Sequence, residues 1–251
     1  MKVTLLGTGT SVPDPERVQS GIMIECRGQL TLFDIGSGVL HRLMQAGIDF
    51  RSINGIFISH FHIDHCSDFI TLIQTLWLEG YESKLPVYGP PPLTDFIRGL
   101  FEVALPFYRD KVILDPIILK ERDAVHCGDL SVSSCSTLHS KHDTRAFRVE
   151  HKKRSMVYSS DTAFCRDVVD LAKDTDLLIH ECNWLDGPHP EGVHSAPSDV
   201  MRVAEESNPK KVVVTHMMPE VAREKGKVLS TVRRRTEADV SLGRDLLEIN
   251  L

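Results

Sequence analysis

"GIFISHFHIDHCSDF" (residues 55–69) places three histidines and two aspartates within nine residues, directly behind a short apolar run. "GIFIS" reads as a buried strand, and the polar cluster begins where that strand ends. In extended chain His60 and His62 sit two apart and point the same way. Asp64 and His65 follow where the chain turns into the helical pattern "CSDFITLIQTLWLEG". The whole chain has twelve histidines, so this crowding needs a cause. Protonated together the imidazoles repel, and buried without partners they are costly. Imidazole and carboxylate are the donors that zinc and other borderline divalent ions favour. H-x-H-x-D-H behind an apolar strand therefore points to metal, and its two subsets point to two ions.

Four residues cannot complete two sites, so further donors are expected downstream. Three strand ends offer them: "LSVSSCSTLHS" carries His139, "SMVYSSDT" carries Asp161 and "KVVVTHMMP" carries His216. A sheet fixes ligands at strand ends while the loops leave room for substrate. Taken singly, a strand-end Asp caps a helix and a lone His is a surface or core residue. Taken with the first cluster, these three become candidate ligands.

The rest of the chain is consistent with a globular enzyme. A length of 251 residues can bury a full core, and the net charge of −6 argues against a broadly basic nucleic-acid surface. Six cysteines lie scattered without a C-x-x-C pair, which suits a reducing compartment and points to the cytoplasm. No apolar run approaches the ~18 to 20 residues needed to span a bilayer, and "MKVTLLGTGTSVPDPER" does not read as a secretory signal. Short β-rich runs open the chain, then alternate with helical patterns, and a similar plan restarts after about Asp129. This predicts an α/β fold, a four-layer αββα sandwich of two mixed β-sheets flanked by helices, as one domain over residues 1–251. "APSDVMRVAEESN" and "AFCRDVVDLAKD" follow Asp, Thr or Ser positions that suit helix caps. "EHKKRSM" reads as a hairpin turn, and the basic "REKGKVLSTVRRR" as a solvated face.

With these motifs in place the sequence resembles the metallo-β-lactamase superfamily nearly end to end. "FDIGSG" resembles its first motif, with Asp34 holding the ligand loop. "HFHIDH" resembles the second, and His139, Asp161 and His216 the third, fourth and fifth. "LGTGTSVPDPER", "HEC" (residues 180–182) and "HSAPSDV" narrow the likeness to the branch containing ribonuclease Z, arylsulfatase-like enzymes and small phosphodiesterases. The resemblance implies His60, His62 and His139 on one ion, Asp64, His65 and His216 on the other, and Asp161 between them. Zinc is the expected metal, with manganese or iron also compatible. A water shared by the two ions would serve as nucleophile. For the third motif "HSKHDTRAFRVE" offers both His139 and His142. The preceding strand and the "HS" pair favour His139, which leaves His142 as a pocket or turn residue.

Asp64 and His194 are the catalytic candidates. His194 stands where ribonuclease Z-like relatives carry a non-ligand histidine, placed to donate a proton to the leaving oxygen or to brace the phosphate. His180 and Glu181 are expected to orient a loop or ligand. The implied activity is that of a dinuclear metal-dependent hydrolase, first a phosphodiesterase for a small phosphodiester or an RNA end. The alternatives are a tRNA 3′ endonuclease of the ribonuclease Z type, or an arylsulfatase-like or ester hydrolase. Only 21 residues separate His139 from Asp161, too few for the long arm with which ribonuclease Z grips tRNA. Tyr81, Phe101, Phe107 and Tyr108 are expected mainly in core packing or a subunit contact, and a homodimer is the expected assembly by analogy.

Overall fold

A computed structural model describes residues 1–251. The opening strands β1 (Lys2–Gly7), β2 (Gly21–Cys26) and β3 (Gln29–Phe33) form an antiparallel meander. The chain then changes rule. β4 (Ile53–Phe57), β5 (Leu85–Gly89) and β6 (Leu114–Ile118) add in parallel, each reached through a helical crossover. The crossovers are α1 (Val39–Gln45), then α2 (Ile63–Cys66) with α3 (Phe69–Leu78), then α4 (Leu93–Gly99), which runs on into a π-helical turn at Leu100–Ala104.

The second sheet repeats the scheme. β7 (Ala124–Cys127), β8 (Leu130–Ser136), β9 (Arg145–His151) and β10 (Arg154–Tyr158) are antiparallel, and β11 (Leu177–Glu181), β12 (Lys211–Thr215) and β13 (Asp239–Leu242) follow in parallel. Its helices are α5 (Arg166–Leu171), α6 (Pro197–Ser207), α7 (Pro219–Arg223) and α8 (Lys225–Val232). The last strand, β14 (Leu247–Asn250), crosses back to the outer side of β1. Each sheet thus has seven strands, ordered β14-β1-β2-β3-β4-β5-β6 and β13-β12-β11-β10-β9-β8-β7.

Side-chain alternation builds the layers. In β2, Ile22 and Ile24 enter the core between the sheets while Met23 faces the helices; in β3, Phe33 goes inward while Leu30 and Leu32 pack under α1 and α3. The inter-sheet core is centred on aromatic rings. Phe57 stacks on Phe33 at 4.8 Å and on Tyr88 at 4.2 Å, with Phe147 of the opposing sheet edge-on at 5.6 Å. A valine-rich layer, including Val200, Val203, Val212 and Val214, joins the second sheet to α6 and α8. The four αββα layers expected from the sequence are present.

Three details differ from the sequence reading. The second sheet begins five residues before Asp129, because "AVHC" pairs with β8 across the Gly128–Asp129 turn. β13 was not anticipated, and neither was the return of β14 to the first sheet. The expected helix caps also fail: no side chain caps α5, and Ser195 instead donates to Thr162 O at 2.6 Å. The first turn of α6 is closed by Asp199, whose Oδ2 accepts from Ala196 N at 3.0 Å. "HKKR" is a two-residue hairpin with Arg154 opposite His151. The basic stretch near Arg233 lies on α8 and the turn after it, with Val228, Thr231 and Val232 buried and most cations solvated. Tyr81 and Phe101 are buried in the core, while Phe107 is exposed against Trp77 and Tyr108.

Candidate metal centre

Every strand that carries a candidate ligand delivers it to the same end of the sandwich. Three of these exits turn through the left-handed region: Asp34 (φ 60°) after β3, Ser160 (φ 51°) before Asp161, and His216 (φ 50°) after β12. Such conformations are uncommon for residues other than glycine and recur at functional sites. The chain also comes very close here, since a Cβ on Gly36 would lie 2.0 Å from Asp64 O. The glycine of "FDIGSG" therefore lets the first motif pack directly against the ligand loop.

The donor atoms fall into two sets. In the first, His60 Nε2 lies 3.0 Å from His62 Nδ1, and His139 Nε2 lies 3.2 Å from His62 Nδ1. Asp161 Oδ2 is 3.7 Å from His60 and 3.8 Å from His139. In the second, His216 Nε2 is 3.3 Å from both His65 Nε2 and Asp64 Oδ2. Asp161 Oδ1 is 3.2 Å from His65 and 3.3 Å from His216. Ligands held ~2.0–2.1 Å from a tetrahedral zinc are about 3.3 Å from one another, which is the spacing seen here. Asp161 presents one oxygen to each set.

The hydrogen bonds behind these atoms fix which nitrogen carries the lone pair. His65 Nδ1 donates to Asp34 Oδ2 at 2.7 Å, and His139 Nδ1 donates to Val193 O at 2.7 Å. Ser59 Oγ donates to Asp34 Oδ2 at 2.8 Å and so accepts from His60 Nδ1 at 3.1 Å. In the neutral rings of His60, His65 and His139 the inward nitrogen is thus the one left with a lone pair, and Asp161 Oδ1 is buried without a hydrogen-bond donor. Electrostatics agree. Burial, then the neighbouring His65, pushes His60 well below the ordinary imidazole value; burial, with His139 and His142, takes His62 down to about 4. Burial alone would lift Asp161, but His216 and His65 hold it well below the usual carboxylate range. Burial would likewise lower His65, yet Asp161 and Asp34 outweigh it and raise the ring well above its ordinary value. The centre demands positive charge among its inward atoms. A pair of divalent cations fits that donor set.

Both third-motif candidates are now placed. His139 is buried and belongs to the first set, whereas His142 is exposed and meets the outer side of His62, Nε2 to Nε2 at 3.1 Å. With His62 Nδ1 turned inward, its Nε2–H donates to His142. An exposed acceptor is replaceable by water. His142→Ala should therefore cost less than tenfold in kcat/KM and leave the bound-metal content unchanged, both measurable on one purified sample.

His194 is half-buried. Its Nδ1 donates to Glu181 Oε1 at 2.8 Å and lies 3.9 Å from Asp161 Oδ2. Glu181 thus takes that nitrogen out of the donor set. Burial would lower His194, but the Glu181 carboxylate dominates and raises it above its ordinary value. Glu181 itself is a junction, accepting from Thr162 N at 2.8 Å, Asn183 N at 3.1 Å and Ser195 N at 3.2 Å. His180 is buried with Nδ1 on Glu181 O. A cavity of about 100 Å³ opens onto both sets, lined by Thr10, Ser11, Asn183, His194 and Met218 beside the ligands.

Two supports escaped the sequence reading. Asp245 accepts from Thr8 N and Oγ1 at 3.1 and 2.7 Å and from Val18 N at 2.8 Å, pinning the "GTGTS" loop that lines the cavity. Tyr158 donates to Asp34 Oδ2 at 2.8 Å from the opposing sheet. Period-two alternation along "SMVYSSD" was the available signal for Tyr158; nothing local marks Asp245.

The chain and its fold have relatives. The profile of the family described as "Anti-Pycsar protein Apyc1" matches residues 1–234. Ribonuclease Z of Methanosarcina acetivorans is 28% identical, covering 100% of this chain and 98% of its own. The short form of human tRNase Z is 27% identical, with a TM-score of 0.80 over 100% of this chain and 99% of its own. The Bacillus subtilis metallo-β-lactamase fold protein YhfI superposes with a TM-score of 0.86 over 99% of this chain and 98% of its own at 20% identity, a likeness of fold.

Proposed function

The chain belongs to the family described as anti-Pycsar protein Apyc1, it is a metal-dependent hydrolase of metallo-β-lactamase fold, and from that premise we propose that it is a dinuclear phosphodiesterase for small phosphodiesters, a cyclic nucleotide being the substrate of choice. The observation that carries this reading is the cavity of about 100 Å³ set directly against both donor sets, room for a phosphate and part of a nucleoside. The span between His139 and Asp161 supports it, because β9, β10 and their two-residue turn fill most of it and no arm projects there.

In this reading His60, His62 and His139 would hold one ion, Asp64, His65 and His216 the other, and Asp161 would serve both. When bound, the ions supply positive charge at the phosphoryl group and acidify water. Zinc is the first choice for a set of imidazoles and carboxylates. Asp34 fixes His65 and Ser59, and Asp64 and His216 lie where the cavity opens onto the second set. His194, held by Glu181 and charged by it, donates a proton to the departing oxygen. His194→Ala should then lower kcat on the order of 10²-fold for a cyclic nucleotide, whose alkoxide leaves only with a proton. On bis-p-nitrophenyl phosphate the loss should be under about threefold, since p-nitrophenolate needs none. Equal losses on both would remove the proton-donor role.

A second reading, a tRNA 3′ endonuclease without the arm, is favoured by the full-length similarity to ribonuclease Z. One panel separates the two: 3′,5′-cyclic nucleotides, bis-p-nitrophenyl phosphate, p-nitrophenyl sulfate and precursor tRNA, each with zinc, manganese or iron restored after chelation. Fast cyclic-nucleotide opening supports the first reading. A defined 3′ cut of precursor tRNA at low enzyme concentration, with slow turnover of the small esters, transfers the proposal to the second. No helix is long and apolar enough to cross a membrane, and we place the protein in the cytoplasm as a homodimer.

A further inference from the structure

At the opposite end of the sandwich, three side chains from separate turns meet. Cys26 ends β2 of the first sheet with the same parity as Ile22 and Ile24, and so faces the inter-sheet core. His151 ends β9 of the second sheet with the parity of Phe147 and Val149, and faces the same core. Asp129 lies in the turn between β7 and β8. Cys26 Sγ is 3.4 Å from His151 Nδ1, and the ligand atoms of all three residues lie within 4.8 Å of one another. β2 runs from the active-centre end at Gly21 to Cys26, so the two clusters are separated by roughly 17 Å of strand.

We propose that Cys26, Asp129 and His151 form a second zinc site, a clasp joining the two sheets at their far end. The spacing fits. A sulfur ~2.3 Å and a nitrogen ~2.0 Å from a tetrahedral zinc stand about 3.5 Å apart, close to the observed separation. The charge fits as well: a thiolate and a carboxylate balance one Zn²⁺, so the loaded site is neutral. Asp129 Oδ2 pairs with Arg27 at 3.2 Å, but both side chains are exposed and such a pair is weak. The fourth position is open to water, as Asp129 stands at the surface. Loading releases the Cys26 thiol proton to solvent, and no other bond changes. The site is independent of the phosphodiesterase reading.

Cobalt(II) tests this on the full chain. The active centre's donors are nitrogen and oxygen, so a thiolate-to-cobalt charge-transfer absorption reports sulfur ligation elsewhere. The cobalt-loaded protein should show that band, and Cys26→Ser and His151→Gln should each lose it along with one bound metal per chain. Both variants should keep bis-p-nitrophenyl phosphate turnover within about twofold. Asp161→Ala should keep the band while losing metal from the active centre. His151 is only half-buried, at the edge of a hairpin whose turn is exposed, so His151→Gln guards against a folding defect in the Cys26 variant. Absence of the band, or its persistence in Cys26→Ser, overturns the site; persistence would assign the sulfur to another cysteine, such as Cys66 beside His62 O at 3.3 Å.

Discussion

Replacing Asp161 with alanine should reduce kcat/KM for a phosphodiester on the order of 10⁴-fold, or about 5.5 kcal/mol of transition-state stabilisation. The reason is positional. Asp161 is the one carboxylate whose two oxygens face different donor sets, at 3.2 to 3.3 Å from His65 and His216 and 3.7 to 3.8 Å from His60 and His139. Its removal leaves three ligands in each set and no group linking them. Metal bound at the active centre should fall from two ions to one or none, while any ion at the Cys26 site stays. The fold should survive, because Asp161 lies beyond the end of β10 and its carbonyl, which accepts from Thr137 Oγ1 at 2.8 Å, remains. Unchanged far-ultraviolet circular dichroism with lost metal and lost activity is the outcome to look for. Full metal content with unimpaired turnover would remove Asp161 from the centre.

Asp34→Ala should act on stability and activity together. This carboxylate is fully buried and accepts from Ser59 N at 2.7 Å, Ser59 Oγ at 2.8 Å, His65 Nδ1 at 2.7 Å and Tyr158 Oη at 2.8 Å. Alanine strands all four donors in the core and places a residue less tolerant of φ 60° at a left-handed position. A loss of about 3 to 5 kcal/mol is expected, which for a chain of this size corresponds to a fall of roughly 10 °C in melting temperature. His65 also loses the partner that fixes its tautomer, so metal affinity should drop 10- to 100-fold. Asp34→Asn retains the left-handed turn and should recover part of the stability but less of the affinity, since the amide cannot accept from every donor. Thermal melts with and without added zinc separate the two effects. A variant as stable as the parent would show that the hub carries little.

The architecture was legible because both of its periods are written plainly. "GIFIS" and "KVVVT" are continuous apolar runs of the kind that parallel strands need, and the helices between them bury Leu72, Ile73 and Leu76 on one face. What escaped was short or decided by distant partners. "AVHC" and "DVSL" are only four residues long and become strands through neighbours already in place. "LLEINL" could equally have extended the second sheet, and its choice of β1 is a tertiary contact. The convergence of the candidate donors was legible because coordination would demand particular side chains at fixed points along strands. Of their supports, Asp34 and Glu181 were readable from the sequence, but Tyr158 and Asp245 were not, since each requires only a hydroxyl or carboxylate at the right place in space. The open choice between His139 and His142 has the same origin: both histidines approach His62, and only the fold shows which one faces inward.

The decisive measurement is anomalous scattering at the zinc edge from crystals of the zinc-loaded chain. Two peaks are expected on either side of the Asp161 carboxylate, one within ~2.0–2.2 Å of His60, His62 and His139 and the other equally close to Asp64, His65 and His216. A solitary peak at this centre, or no density beside His62 and His216, would contradict the two-ion centre and the chemistry built on it; a further peak beside Cys26 would belong to the far-end site.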